Sequence, residues 1–156
     1  MHYLIDGYNV LFSLESSSDL QLQRTELTEF LTKKFSRLKL SGFIIFDGSH
    51  KRDEESGRNY GSPLEIVFSP KGQTADCYIV EHVEFAKNSK EITVITNDSG
   101  LKRRVRALGA QVKQTAPFIR FLEKKTHMKK EEKGSLEESP RELKRLLKIF
   151  EERLDN

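Results

Sequence analysis

Four aspartates, Asp6, Asp47, Asp76 and Asp98, stand where this chain could do metal-assisted chemistry. Asp6 closes the apolar run Tyr3-Leu4-Ile5, and Gly7 follows it. Asp47 closes Phe43-Ile44-Ile45-Phe46 and is followed by Gly48. Asp98 ends Thr96-Asn97-Asp98, directly after Ile92-Thr93-Val94-Ile95. Asp76 lies just after Thr74, a good helix N-cap, and a little beyond the run Leu64-Glu65-Ile66-Val67-Phe68. Each acid alone has an ordinary structural explanation: Asp6 capping backbone N–H groups, Asp47-Gly48 as a turn, Asp76 facing a helix dipole, Asp98 as a cap. Four acids in equivalent positions are harder to explain that way. Carboxylates a few ångströms apart repel, and burial worsens the cost. Hard cations such as Mg²⁺ or Mn²⁺ accept all-oxygen ligation and relieve the conflict. Such ions activate water, orient a phosphodiester and neutralise the leaving oxygen. Asn9 follows Asp6 closely enough to share its crevice.

The surroundings of these acids suit a polyanion. Between positions 99 and 120 lie Lys102, Arg103, Arg104, Arg106, Lys113 and Arg120, with no acidic residue. This block begins just after Asp98, so it should flank the crevice and neutralise phosphates. A solvated helix face is the plainer explanation, above all for Arg103 and Arg106. Lys51, Arg52 and Arg58, in a charged loop over 50–62, are further candidate RNA contacts, although such a loop is most often solvated. Tyr8 and Tyr60 could stack on unpaired bases, and Tyr8 could equally be core. His50 reads better as a loop histidine than as a proton shuttle. His2 and His82 carry no site signal, and Cys77 reads as a small buried residue.

Strands alternating with helices must position these groups. Apolar runs at 3–5, 43–46, 64–68 and 92–95 read as buried strands, with 111–113 as an edge strand. Ser16, Ser17, Ser18 and Asp19 make a polar break before an amphipathic helix over roughly 20–40, built on Leu27, Phe30, Leu31, Phe35 and Leu38. A helix capped by Thr74 presents Ile79, Val80, Val83 and Ala86. Another presents Leu101, Val105 and Leu108 and ends at Gly109, and a short one begins at Pro117 with Phe118, Phe121 and Leu122. The alternation predicts an α/β fold whose parallel sheet is covered on both faces and whose strand C-termini share one edge. Positions 1–122 form that domain. Residues 123–138, rich in Lys, Glu and Ser, read as a charged linker or frayed helix. Residues 139–156 hold an amphipathic helix that opens with Ser139, Pro140 and Glu142 as a capping box. Its stripe of Leu143, Leu146, Leu147, Phe150 and Leu154 should pack on the domain, on a partner, or on a second copy to make a homodimer.

Composition bounds the class. The chain has 156 residues, 36% hydrophobic and 33% charged, which suits one globular domain rather than a disordered one. A net charge of +3 is compatible with nucleic acid without being diagnostic. One cysteine excludes an intrachain disulfide and any multi-cysteine metal site. With no leader-like or membrane-spanning stretch in the sequence, a cytoplasmic protein is the expectation.

The ordered motifs Ile5-Asp6-Gly7-Tyr8-Asn9-Val10, Phe46-Asp47-Gly48, Thr74-Ala75-Asp76 and Thr96-Asn97-Asp98 resemble the YacP-like branch of the NYN domains, relatives of the PIN nucleases. The resemblance covers about residues 2–122, and Gly48 departs from the residue often found there. It implies a PIN-like Rossmannoid three-layer sandwich with a central, mostly parallel sheet, here followed by a charged helical tail. It also implies Mg²⁺- or Mn²⁺-dependent RNA cleavage, and some members of the branch resemble endoribonucleases that act on mRNA at the ribosome. By that likeness Asp6, Asp76 and Asp98 match the metal-binding acids, Asn9 the polar residue of the opening motif, and Asp47 a further acid. The expected activity is therefore cleavage of single-stranded RNA. A noncatalytic RNA- or ribosome-binding module is the rival, though a pure phosphate binder gains nothing from clustered acids. A phosphatase of the haloacid dehalogenase type would need Asp-x-Asp where this chain has Asp6-Gly7-Tyr8, and that reading ranks last together with a phospho-receiver.

Overall fold

The computed structural model describes residues 1–13, 20–48 and 63–133, with positions 20, 21 and 127–133 described by backbone alone. The polar break at 16–19, the loop at 50–62 and the tail from 134 onward lie outside the described residues. Five strands form one sheet: β1 (His2–Asp6), β2 (Ser41–Phe46), β3 (Leu64–Phe68), β4 (Ile92–Ile95) and β5 (Gln111–Lys113). Their order is β3-β2-β1-β4-β5, and every pairing is parallel. Continuous apolar runs are what such a sheet requires, because both of its faces are covered. β4 is buried at every position, and in β1 only His2 is partly exposed.

Alternate residues feed two cores, as the two-residue period of a strand demands. Tyr3 and Ile5 pack with Leu27, Leu31, Phe35, Phe118 and Leu122 on one face. Leu4 and Ile45 pack with Ile79, Val83, Leu101 and Val105 on the other. The first core is covered by α1 (Gly7–Phe12), α2 (Leu20–Leu38) and α5 (Thr115–Lys133). The second is covered by α3 (Ala75–Glu84) and α4 (Ser99–Ala107). The result is a three-layer α/β sandwich.

Local chemistry explains most boundaries. Thr74 Oγ1 accepts the Cys77 N–H at 3.1 Å and starts α3. At the end of α4, Gly109 takes φ +100°, its N–H donates to the Arg106 carbonyl, and the Ala110 N–H donates to that of Val105. This paired bonding is a Schellman stop, which glycine enters without strain.

Two elements differ from expectation. α1 follows Asp6 at once, where the sequence pattern marks no helix of its own. Gly7 permits it: a Cβ there would lie 2.5 Å from a Phe46 ring carbon and 2.8 Å from the Ile45 carbonyl oxygen. α5 begins two residues before Pro117 and does not stop at Leu122. Its first N–H donates to Asn97 Oδ1 at 2.9 Å, a cap supplied from a distant part of the chain. Beyond Leu122, Glu123 pairs with the buried Lys34 at 3.6 Å, and the buried Thr126 hydroxyl donates to the Leu122 carbonyl. The boundary drawn at 122 therefore falls inside a helix, and packing against the domain reaches at least Thr126. No helix among the described residues is long and apolar enough to cross a membrane.

Candidate functional site

The strand order reverses direction of travel between β1 and β4, since β2 lies to one side of β1 and β5 to the far side of β4. In open α/β sheets the crevice beyond the strand C-termini at such a point takes the ligand. Asp6 is the last residue of β1, and Thr96, Asn97 and Asp98 follow β4 beside it. Asp76 comes to the same place as the second residue of α3. Asp47 follows β2, the other neighbour of β1.

Hydrogen bonds hold the crevice in shape. The fully buried Thr96 hydroxyl donates to Asp6 Oδ2 at 3.0 Å and accepts the Asp98 N–H at 3.1 Å. Asp98 Oδ1 accepts the Gly100 N–H and starts α4. Asn9 Oδ1 accepts the Asn97 N–H at 2.8 Å, and Asn97 Oδ1 accepts the Thr115 N–H. The two asparagines thus tie α1 to the β4–α4 loop and that loop to α5.

The electrostatics are those of crowded acids. Asp6 is only 4% exposed. Burial, then the charges of Asp76 and Asp98, push its carboxyl from an ordinary 3.8 up to about 7, against the opposing hydrogen bond from Thr96. The Asn9 N–H also favours the charged form, although no capping hydrogen bond forms at the start of α1. Asp76 is raised by its own burial, by Asp98 (close enough to share a hydrogen bond) and by Asp47, while Arg104 pulls it down. Among the described residues, no three His, Cys, Asp or Glu side chains already stand as a complete metal-ligand set. The donor chemistry nevertheless fits a hard divalent ion: carboxylate and hydroxyl oxygens only, with mutual repulsion that a cation would relieve.

The candidates therefore separate. Asp6, Asp76 and Asp98 act on one another, and Asp47 bears on Asp76. Asn9 is engaged in holding the loop. Tyr8 is a correction: its ring is buried between Phe12 and Phe46, and its hydroxyl accepts from Arg24 Nη1 at 2.8 Å, leaving no face for a base. Arg103, Arg104 and Arg106 are exposed on α4 and Lys102 is half-buried, with Arg104 turned toward Asp76. Lys51, Arg52, Arg58, His50 and Tyr60 lie outside the described residues. Cys77, expected to be buried, is exposed, because it lies on the outer side of α3.

Sequence reasoning missed three residues. Thr96 was visible as a hydroxyl between a strand and an acid, which is the signal that could have found it. Asn97 stood in the Thr96-Asn97-Asp98 motif without a role of its own, and Arg24 had no signal, because their partners lie 18 and 16 positions away.

Comparison with known proteins follows the same lines. Residues 3–156 match the YacP-like NYN domain family, a span that runs on through the tail beyond the motif-bearing 2–122. No curated protein matches the chain. Among solved structures, the chain is similar to Rae1 (YacP) from Bacillus subtilis, with a TM-score of 0.66 and 20% identity over 85% of this chain and 79% of that one. A single-substitution mutant of the same Bacillus subtilis protein aligns at a TM-score of 0.60 and 21% identity, over 99% and 97% of the two chains. At such identities the likeness speaks for the fold.

Proposed function

The chain belongs to the YacP-like NYN domain family of PIN-like nucleases, and on that premise we propose that it is a divalent-metal-dependent endoribonuclease acting on single-stranded RNA. The observation that carries this reading is Asp6: a carboxyl buried to 4% exposure and pressed by two further acids. Nothing in the folding of a sandwich requires that arrangement, and it costs stability. A site that holds a cation gains from it.

Asp6, Asp76 and Asp98 are the residues that would hold Mg²⁺ or Mn²⁺. Such an ion supplies Lewis-acid polarisation of the phosphodiester and lowers the pKa of the attacking water. The chain's own residues do the positioning. Thr96 aims Asp6 and fixes the backbone of Asp98, so two acids keep their spacing when the substrate arrives. Asp47 adds negative field on the β2 side, where its charge reaches Asp76. Arg104 sits toward the acids, while Lys102, Arg103 and Arg106 extend positive charge along α4 for the phosphates on either side. Single-stranded RNA is the substrate class, with mRNA on the ribosome as one form of it, and the cytoplasm is the setting.

The noncatalytic rival keeps the same fold and the same basic face on α4. Purified protein incubated with labelled single-stranded RNA, in Mn²⁺ or in EDTA, separates the two. The expected outcome is cleavage in Mn²⁺ alone, reduced at least about a hundredfold in Asp6→Asn, a loss of about 3 kcal/mol in transition-state stabilisation. RNA affinity of Asp6→Asn should be equal or slightly tighter, since a negative charge near phosphate is gone. Cleavage by Asp6→Asn at the native rate sinks the catalytic reading. Tight binding by a native protein that cuts no RNA installs the rival.

A further inference from the structure

The helix α1 carries an aromatic ring outward from the acidic crevice. Phe12, its last residue, is 59% exposed. The ring stacks on Tyr8, one helical turn back, with centroids 5.6 Å apart and planes at 16°. Tyr8 packs in turn on Phe46 at 4.8 Å, and Phe46 ends β2 directly before Asp47. Arg24 holds the stack still. Its Nη1 donates to the Tyr8 hydroxyl at 2.8 Å, and its guanidinium lies over the Phe46 and Phe68 rings. One face of Phe12 therefore rests on buried, hydrogen-bonded neighbours, and its exposed area lies on the opposite face and edge.

Single exposed apolar side chains are ordinary. Phe12 differs by its place. Among the described residues the other exposed phenylalanine, Phe85, caps the far end of α3, away from the acids. Helix rise puts Phe12 only about 7.5 Å from Gly7, where the chain turns after Asp6. Resting on the endoribonuclease reading, we propose that Phe12 is a stacking platform for an unpaired base of the RNA, beside the phosphate at the acids.

Three arguments select a base as the occupant. The first is path. α4 leaves the crevice on the sheet face of Leu4 and Ile45, and α1 leaves it on the face of Tyr3 and Ile5. A strand whose phosphates follow Lys102 and Arg103 along α4 crosses the acids and meets Phe12 on the other side. The second is rigidity. Every base has a π face, and a ring already fixed on Tyr8 has little freedom left to lose when a base stacks on it. The third is selectivity. In a duplex both faces of each base are covered by its neighbours, whereas an unpaired base can turn onto the ring. The platform therefore favours single strands without choosing a sequence.

Binding of labelled RNA by the full chain, at low salt in EDTA where cutting does not compete, tests the platform apart from catalysis. Phe12→Ala should weaken binding of single-stranded RNA at least fivefold. The slope of log affinity against log salt should stay as in the native protein, because no phosphate contact is lost. Affinity for a duplex of the same sequence should also stay native, which shows that the variant is folded. Phe12→Trp should bind single strands at least as tightly as the native protein, and Phe12→Leu as weakly as Phe12→Ala. Native affinity in Phe12→Ala overturns the proposal and leaves the nuclease reading standing. Native affinity in Phe12→Leu overturns it as well, because an apolar contact would then suffice without a ring. An equal loss for duplex and single strand also overturns it. If the native protein cuts no RNA in Mn²⁺ while Phe12→Ala loses single-strand binding, the platform stands and the catalytic reading falls.

Discussion

Asp6 sets the behaviour of the site at the scale of one residue. Its folded carboxyl is raised from 3.8 to about 7, so between those values the metal-free native state keeps a proton that the unfolded state has lost. Fewer protons on the unfolded state means that stability falls as pH rises through this window. The full loss is at most about 4 kcal/mol. Metal-free melts between pH 4 and pH 8 should show a decline with pH that Asp6→Asn flattens, with the variant melting higher at pH 8. Mn²⁺ should raise the native melting temperature at pH 7, and more than at pH 5, because binding needs the ionised form. A metal-free melting temperature that climbs from pH 4 to pH 7 equally in both proteins would contradict the burial of a strained acid. Thr96 is the second residue of consequence. Thr96→Val removes the hydroxyl that Asp6 accepts from and leaves the Asp98 N–H without its partner. We expect a further rise of the Asp6 pKa and a shift of the cleavage–pH profile toward alkaline values, read from rates at saturating Mn²⁺.

At the scale of elements, the short helix α1 decides where the crevice opens. It exists because the glycine that follows β1 lets the chain turn against the Phe46 ring. Gly7→Ala would press a methyl into both that ring and the Ile45 backbone. Overpacking of this kind costs about 1–3 kcal/mol, and the backbone side of the clash cannot rotate away. Melting temperature should fall, and cleavage should fall by more than the folded fraction, since Asp6 and Asn9 flank the strained turn. A Gly7→Ala variant as stable and as active as the native protein would show that α1 can move without cost. The helix α5 makes the complementary point. Its composition from Glu123 onward reads as linker, yet the buried Lys34 needs an acid, and Glu123 supplies it. Removing one member of such a pair is far costlier than the pair is worth, because the other charge stays buried.

At the scale of the whole molecule, among the described residues, four aspartates meet at the crevice and α4 carries Lys102, Arg103, Arg104 and Arg106 beside it. This separation divides labour between chemistry and binding. Lys102→Ala with Arg103→Ala should weaken RNA binding and reduce the slope of log affinity against log salt by about two. The rate at saturating RNA should change little, because neither residue bears on the acids. A fall in that rate with unchanged affinity would move these side chains from the binding track to the reacting phosphate.

How much of this was legible in the sequence follows from the range of the forces involved. The strands were readable because apolar runs such as Ile92–Ile95 report burial on both faces, a property each residue carries with it. Thr74 and Gly109 were readable because helix caps act over a few positions. The four acids were readable as a set because parallel strands must all end on one edge. Tertiary structure decided the rest. Tyr8 and a lysine such as Lys34 look like surface chemistry until partners distant in the chain, Arg24 and Glu123, bury them. The start of α5 depends on Asn97 and the shape of the crevice on Thr96, and no local pattern encodes either contact. The raised pKa of Asp6 belongs to no residue by itself, because it arises only when folding brings Asp76 and Asp98 to a carboxyl that has been taken out of water.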